Sequence, residues 1–364
     1  MAGIYIHIPF CKSRCIYCGF YSTTNTELRQ RYTEALVKEA QSRPTDTTIG
    51  TIYLGGGTPS QLSTGQMRLL FEALYNIYKV EDNAEVTLEV NPDDVTEQFA
   101  SMLSTLPFNR VSMGAQTFDN QRLSFLHRRH NASQVPMAVK RLREAGIGNI
   151  SVDLMYGFPD ETLSQWQHDI DMALALNVEH ISAYCLMIEE NTPLHRMNIE
   201  AADEETERLM YYTLVDRLEA AGYDHYEISN FARPGRRSRH NSSYWTDVPY
   251  IGLGAAAHSY DGKRREWNVD NINAYISGIE NGTRKTDGEQ LSSNDRYNDR
   301  VILSLRTREG ISLSSLSEDD RSYLLPLARK HIDSGLLASE DGRLHLTRQG
   351  LFVSDMVMSD LMRI

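Results

Sequence analysis

Cysteine is scarce in this chain, with four in 364 residues. So few cannot staple a chain of this length, and a disulfide framework is excluded. Basic charge is also in deficit. The 37 Lys and Arg stand against 49 Asp and Glu, a net charge of −12, which argues against a protein built to clamp a polyphosphate backbone. No apolar run approaches the ~20 residues that cross a bilayer as a helix. Internal repeats and low-complexity tracts are absent. The first residues, MAGIYIHIPF, carry neither a charged leader nor a small-residue cleavage site. No secretory signal is therefore expected, and the expected compartment is the cytoplasm. With 41% hydrophobic and 24% charged residues, the chain has the composition of a globular protein, long enough for one large core and a smaller satellite.

Apolar, β-branched runs near 4–8, 51–54, 85–90, 109–113, 149–154, 179–184 and 223–228 alternate with stretches of helical spacing. Those stretches are Leu28–Ala40, Met67–Tyr78, Val135–Ala145, Leu163–Leu176 and Glu204–Ala221. Gly146 and Gly222 stand where helices should end. Repeated β/α units predict a parallel sheet, and six or seven of them suit a full or partial barrel with functional loops at the C-terminal strand ends. The rhythm breaks over 230–285. Beyond about 290, short helices precede a hairpin signalled by Asp341-Gly342, which suggests a small winged-helix-like domain. Residues 285–364 hold 11 basic and 13 acidic side chains, a net of −2, so nucleic acid is not an expected partner. The expected domains are 1–232, a connecting region 233–285, and 286–364.

Three of the four cysteines fall within eight residues, Cys11-Lys-Ser-Arg-Cys15-Ile-Tyr-Cys18. One loop after the first strand thus carries three thiols, the number that suits an iron–sulfur cluster with one open iron. Structural zinc is the alternative, but no second knuckle supplies a fourth ligand. Cys185 lies alone on a predicted strand and reads as a packing thiol. Gly55-Gly56-Gly57-Thr58-Pro59 follows the second strand, where glycines let backbone approach a ligand. Glu89, Gln116, Arg128 and Asp153 also fall at or just after strand ends.

The C-x3-C-x2-C spacing with an aromatic before the third cysteine, CKSRCIYC, resembles the radical S-adenosylmethionine (AdoMet) superfamily. The resemblance implies a partial TIM-like barrel and a [4Fe-4S] cluster on Cys11, Cys15 and Cys18, with AdoMet chelating the open iron. The glycine run is similar to the superfamily's segment at the AdoMet amino group. Over its whole length the chain resembles the family containing the oxygen-independent coproporphyrinogen III dehydrogenases and the HemW-type heme chaperones. The matching segments are IYIHIPFC, YLGGGTPS, LEVNP, GAQTF, SVDLMYGFP, HNSSYW and the C-terminal domain. On that basis Tyr5, Gly56, Gly57, Thr58, Glu89, Gln116, Arg128 and Asp153 match AdoMet-contacting positions.

Two departures separate the branches. The dehydrogenases resemble C-x3-C-x2-C-x-C, where this chain has Phe20, and they carry a longer segment ahead of the cysteines. His240-Asn241-Ser242-Ser243-Tyr244-Trp245 resembles the H-N-x-x-Y-W signature of the chaperones, which marks His240 as the expected heme ligand. Arg233, Arg236, Arg237 and Arg239 read first as a solvated basic loop and second as partners of heme propionates. His7, His127, His180 and His258 read as structural or exposed, His7 lying close enough to the cluster to influence it. The resemblance implies a heme carrier serving respiratory apo-hemoproteins, with an electron donor for the cluster, and it leaves open weak membrane association and a homodimer. The competing reading is an enzyme that oxidatively decarboxylates coproporphyrinogen III propionates.

Overall fold

The computed structural model describes residues 1–364. Its centre is six parallel strands: β1 (Ala2–Ile8), β2 (Ile49–Gly56), β3 (Val80–Val90), β4 (Arg110–Gln116), β5 (Ile150–Tyr156) and β6 (His180–Cys185). Parallel neighbours need crossovers, and helices Arg29–Ser42, Thr64–Ile77, Gln134–Glu144 and Leu163–Ala175 supply most of them. Ser63 with Gln66 and Thr162 with Gln165 start two of these helices as reciprocal caps.

Strand periodicity sorts the side chains into two faces. Ile4, Ile6 and Ile8, Ile52 and Leu54, Val86 and Leu88, Val111 and Met113, and Val152 and Leu154 are all buried in the main core. The opposite, concave face is polar. Register places Tyr5, Tyr53, Thr87 and Arg110 in one row, while Glu89, Ser112, Asp153 and Ser182 lie nearer the strand ends.

The barrel does not close. The run near 223–228, expected to be one more parallel strand, is β7 (Asp224–Glu227), which turns at once into β8 (Asn230–Ala232). Two residues between them allow only a hairpin, so β8 pairs antiparallel with β6. At the other edge β9 (Tyr250–Leu253) joins β1 in parallel. It is followed by antiparallel β10 (His258–Tyr260), β11 (Arg264–Asn268) and β12 (Thr286–Gln290). The result is one open sheet of 12 strands, and residues 233–285 extend it rather than merely connect two units.

Buried Glu39 fastens this extension to the first helix. Its carboxylate accepts from Gly254 N (2.9 Å), Asn268 Nδ2 (2.9 Å) and Tyr275 Oη (2.6 Å), and pairs with Arg43 and Arg284. The C-terminal region has its own core around Val301, Leu324, Leu344 and Val357. Here β13 (Ile311–Ser312), β14 (Leu337–Glu340) and β15 (Arg343–Leu346) pack with helices Ser293–Leu305, Glu318–Asp333 and Ser354–Leu361. Asp341 and Gly342 turn the hairpin with φ of 49° and 72°, the left-handed pair a two-residue turn requires. No helix is long and apolar enough to cross a membrane.

Candidate functional site

The cysteine loop leaves β1 and is held by backbone bonds on both sides. Cys11 N donates to Thr23 O (2.9 Å), Thr58 N to Phe10 O (2.8 Å) and Ile16 N to Leu126 O (3.3 Å). Lys12 reaches Asp94 at 2.7 Å. Gly57 permits the close passage of the glycine run behind the loop, because a Cβ there would lie 2.7 Å from the Pro9 carbonyl carbon. These glycines therefore serve chain packing as well as the ligand approach expected of them.

The loop caps a cavity of about 620 Å³ at the C-terminal ends of the strands. Cys11, Cys15 and Cys18 line it together with Gly56, Gly57, Thr58, Glu89, Gln116, Arg128 and Asp153. The structure thus assembles the sequence-predicted residues around one space, with two exceptions. Tyr5 faces a second cavity, of about 370 Å³, over β1 and β9. His240 lies on the helix Arg239–Trp245 beneath both cavities and is only 1% exposed.

The polar network explains how the loop and cavity hold their shape. Thr58 Oγ1 lies 3.5 Å from Cys11 Sγ and accepts from Asn91 Nδ2 at 3.2 Å. Arg128 donates to Asn91 Oδ1 and to Gly114 O, both at 2.6 Å, and its Nη1 is 3.5 Å from Cys15 Sγ. Its Nε is buried with no partner. Gln116 sits at φ 66°. A side-chain-bearing residue in the left-handed region at a strand end is strained by roughly 1 kcal/mol, a feature that concentrates at functional sites. Glu89 accepts from Tyr53 Oη (2.7 Å) and Gly56 N (3.1 Å). Burial, aided by Asp153, pushes it up to about 7. Burial likewise raises Asp153, opposed by Ser182, Arg110 and Ser112.

This arrangement fits the expected cofactors. Three thiols at the mouth of a roomy cavity suit a cluster of several irons. Beyond them the cavity is lined by the Arg128 guanidinium, a cation suited to an anionic group, and by the acceptors Glu89 and Asp153, suited to hydroxyl or ammonium groups.

Several residues were not singled out in the sequence. Tyr53 and Asn91 orient Glu89 and Arg128. Arg110 is 1% exposed, and its Nε and Nη1 have no partner; a charge opening an otherwise apolar strand, NRVSM, was the available signal. Cys185 packs against the main core, as expected of it, and also reaches the main cavity, its thiol pushed up to about 12 by burial and by Glu207. His240, the expected heme ligand, is buried and already hydrogen-bonded. Its Nδ1 lies 2.8 Å from Thr51 Oγ1 and its Nε2 2.9 Å from Tyr244 Oη, with the ring stacked on Tyr53. Both ring nitrogens thus face side-chain hydroxyls. The arginines upstream are largely engaged as well: Arg233 packs over Tyr223, Arg237 pairs with Asp224 and Glu309, and Arg239 with Glu81.

A parallel sheet with a three-cysteine loop after its first strand is the architecture of the radical SAM superfamily, whose sequence profile matches residues 5–173. The profile of the HemN C-terminal domain matches residues 291–353. The chain is 35% identical to the heme chaperone HemW of Bacillus subtilis, over 98% of each chain. It is 33% identical to that of Mycobacterium tuberculosis, over 99% of this chain and 94% of the relative. A mitochondrial radical S-adenosyl methionine domain-containing protein 1 from Danio rerio is 32% identical, over 85% of this chain and 74% of that one. The chain belongs to the HemW family. The coproporphyrinogen III oxidase HemN of Escherichia coli superposes with a TM-score of 0.85 over 99% of this chain and 89% of its own, at 21% identity; the two share a fold.

Proposed function

We propose that this protein binds heme and hands it to acceptor hemoproteins, those of respiration in particular, and is not a coproporphyrinogen dehydrogenase. Near-full-length similarity to proteins named heme chaperones carries the reading. Phe20 supports it. Where the dehydrogenases resemble a fourth cysteine, this chain presents a ring that can neither ligate iron nor give up a hydrogen atom, 69% exposed on the wall of the main cavity.

Cys11, Cys15 and Cys18 hold a [4Fe-4S] cluster. AdoMet would be held in the main cavity by Gly56, Gly57, Thr58, Glu89, Gln116, Arg128 and Asp153, with the Arg128 guanidinium as the cationic partner for an anionic group. When bound, the cluster supplies one open iron for chelation and one-electron chemistry, for which a cytoplasmic donor provides the electron. The chain's own part is to orient the ligand and to keep Glu89 and Asp153 pointed at it through Tyr53 and Ser112. The domains in this reading are the AdoMet core 1–232, the heme-associated region 233–285 and the HemN-type domain 286–364.

The deciding experiment incubates the reconstituted protein anaerobically with heme and an apo-cytochrome, and separately with coproporphyrinogen III, AdoMet and a reductant. Stable heme binding with transfer and no protoporphyrinogen IX is the expected result. Decarboxylase turnover by the intact protein would overturn the carrier reading, however well it bound heme.

A further inference from the structure

The second cavity lies on the concave face across Gly19 and Phe20 from the first, and these two residues line both. Its volume, about 370 Å³, falls within the roughly 300–1,000 Å³ of small-molecule sites. Its walls are unusually aromatic, with Tyr5, Tyr244 and Tyr250 around the exposed ring of Phe20. Aromatic walls of this kind favour a largely apolar, aromatic occupant.

Two imidazoles reach this space, and their surroundings differ. His7 is tied down, its Nδ1 3.1 Å from Tyr5 Oη and its Nε2 2.9 Å from Tyr21 O. His258 is exposed and held by its ring face alone, stacked on Trp267 with centroids 5.5 Å apart. Neither of its ring nitrogens has a hydrogen-bond partner among the side-chain bonds of the chain. Stacking fixes the ring plane and leaves the in-plane lone pair available, which is what a metal needs from imidazole.

The backbone is shaped to put His258 there. Gly254 and Ala256 turn the chain with φ of 103° and 60°. Gly252, opposite Tyr5 in the β1–β9 register, has no Cβ to obstruct the carbonyl of His258, which would lie 1.9 Å from one. Together they bring β10 back along β9 and fix the backbone at the exposed imidazole of His258.

We propose that heme seats in this second cavity, with His258 as the axial ligand to its iron and the porphyrin against Phe20 and the tyrosine wall. The proposal rests on the heme-carrier reading and assigns its site. It also gives the HNSSYW helix a role: Tyr244 lines the heme cavity, while His240 anchors that tyrosine from below. Binding forms one nitrogen–iron coordination bond, and handover breaks it as an acceptor's ligand takes its place; no electron is transferred. The exposed Phe20 edge leaves the occupant within reach of that acceptor.

The full-length protein titrated with ferric heme tests this. The wild type should show an imidazole-ligated Soret band. His258→Ala should shift the band and weaken retention at least tenfold, and His258→Met should restore retention with a thioether-type spectrum. His240→Ala should keep the wild-type band position. Because His240 is buried, Thr51→Val, which removes only its Nδ1 partner, provides the milder check and should also keep it. An unchanged band and retention in His258→Ala would overturn the site, as would loss of imidazole ligation in a folded Thr51→Val. Failure of the wild type to bind heme at all would instead overturn the carrier reading, and the site with it.

Discussion

Glu89 shows how the barrel interior sets the charge of a single residue. Its carboxyl is raised from an ordinary 4.5 to about 7 by burial, then by Asp153. Between those values the folded, ligand-free protein binds the proton more tightly than the unfolded chain. Stability is therefore fully present below pH 4.5 and falls as pH rises through 7, by at most ~3 kcal/mol and less where water enters the cavity. In urea titrations the Glu89→Gln protein should show a flatter stability profile from pH 5 to 7.5. Identical slopes would mean that Glu89 is already ionised. The cysteines give a sharper test. Changing Cys11, Cys15 or Cys18 to Ser should each abolish the reconstituted cluster, read from iron content and thiolate-to-iron absorption, whereas Cys185→Ser should retain four irons per chain. Loss in the Cys185 variant would reassign the ligands. These four positions were distinguishable by spacing alone. The surroundings of His240 were not, because a motif marks where a residue is in the chain and says nothing of which hydrogen bonds occupy its nitrogens.

At the scale of elements, the glycine run and the strand ends carry the strain. In Gly57→Ala the new Cβ would meet Pro9 and Ile8 backbone atoms at 2.7 to 2.9 Å, and backbone cannot rotate away as a side chain does. The cysteine loop should shift, costing about 1–3 kcal/mol and lowering iron incorporation, measurable by thermal melting and iron assay. Gln116→Gly goes the other way. Relief of the left-handed strain offsets the added chain entropy, so stability should stay within ~1 kcal/mol of wild type. The AdoMet-induced change in the reduced cluster's EPR spectrum should nevertheless weaken. An undiminished change would remove Gln116 from the ligand contacts. The six parallel strands and their long helices were legible because each alternates or repeats over enough residues to show its period. Helices Glu97–Leu103 and Asn120–Phe125 are too short to do so. The β7–β8 hairpin was misread as a parallel strand, since a β-branched, aromatic run looks the same whichever way its neighbour points.

Across the whole molecule, one buried carboxylate decides whether the sheet's extension stays docked. Glu39 gathers two arginines, an asparagine, a tyrosine and a backbone amide from five places along the chain. Glu39→Ala leaves Arg43 and Arg284 without their buried partner, a loss of about 3–5 kcal/mol. Hydrogen exchange should then rise first in β9–β12, ahead of β1–β6; uniform exchange would show that the extension does not open separately. Nothing in the sequence marks Glu39, because its partners lie up to 245 residues away.

The two cavities also share a wall. Gly19 and Phe20 end the loop that carries the three thiols, and they face both spaces. A displacement of this loop by an occupant on one side therefore alters the free energy of the other. If AdoMet and heme take the two sides as proposed, thermodynamic reciprocity fixes the size of that effect: whatever factor AdoMet applies to heme affinity, heme must apply to AdoMet affinity. Two titrations in opposite order would have to return one coupling constant, and a cell rich in one ligand would thereby set how firmly the protein keeps the other.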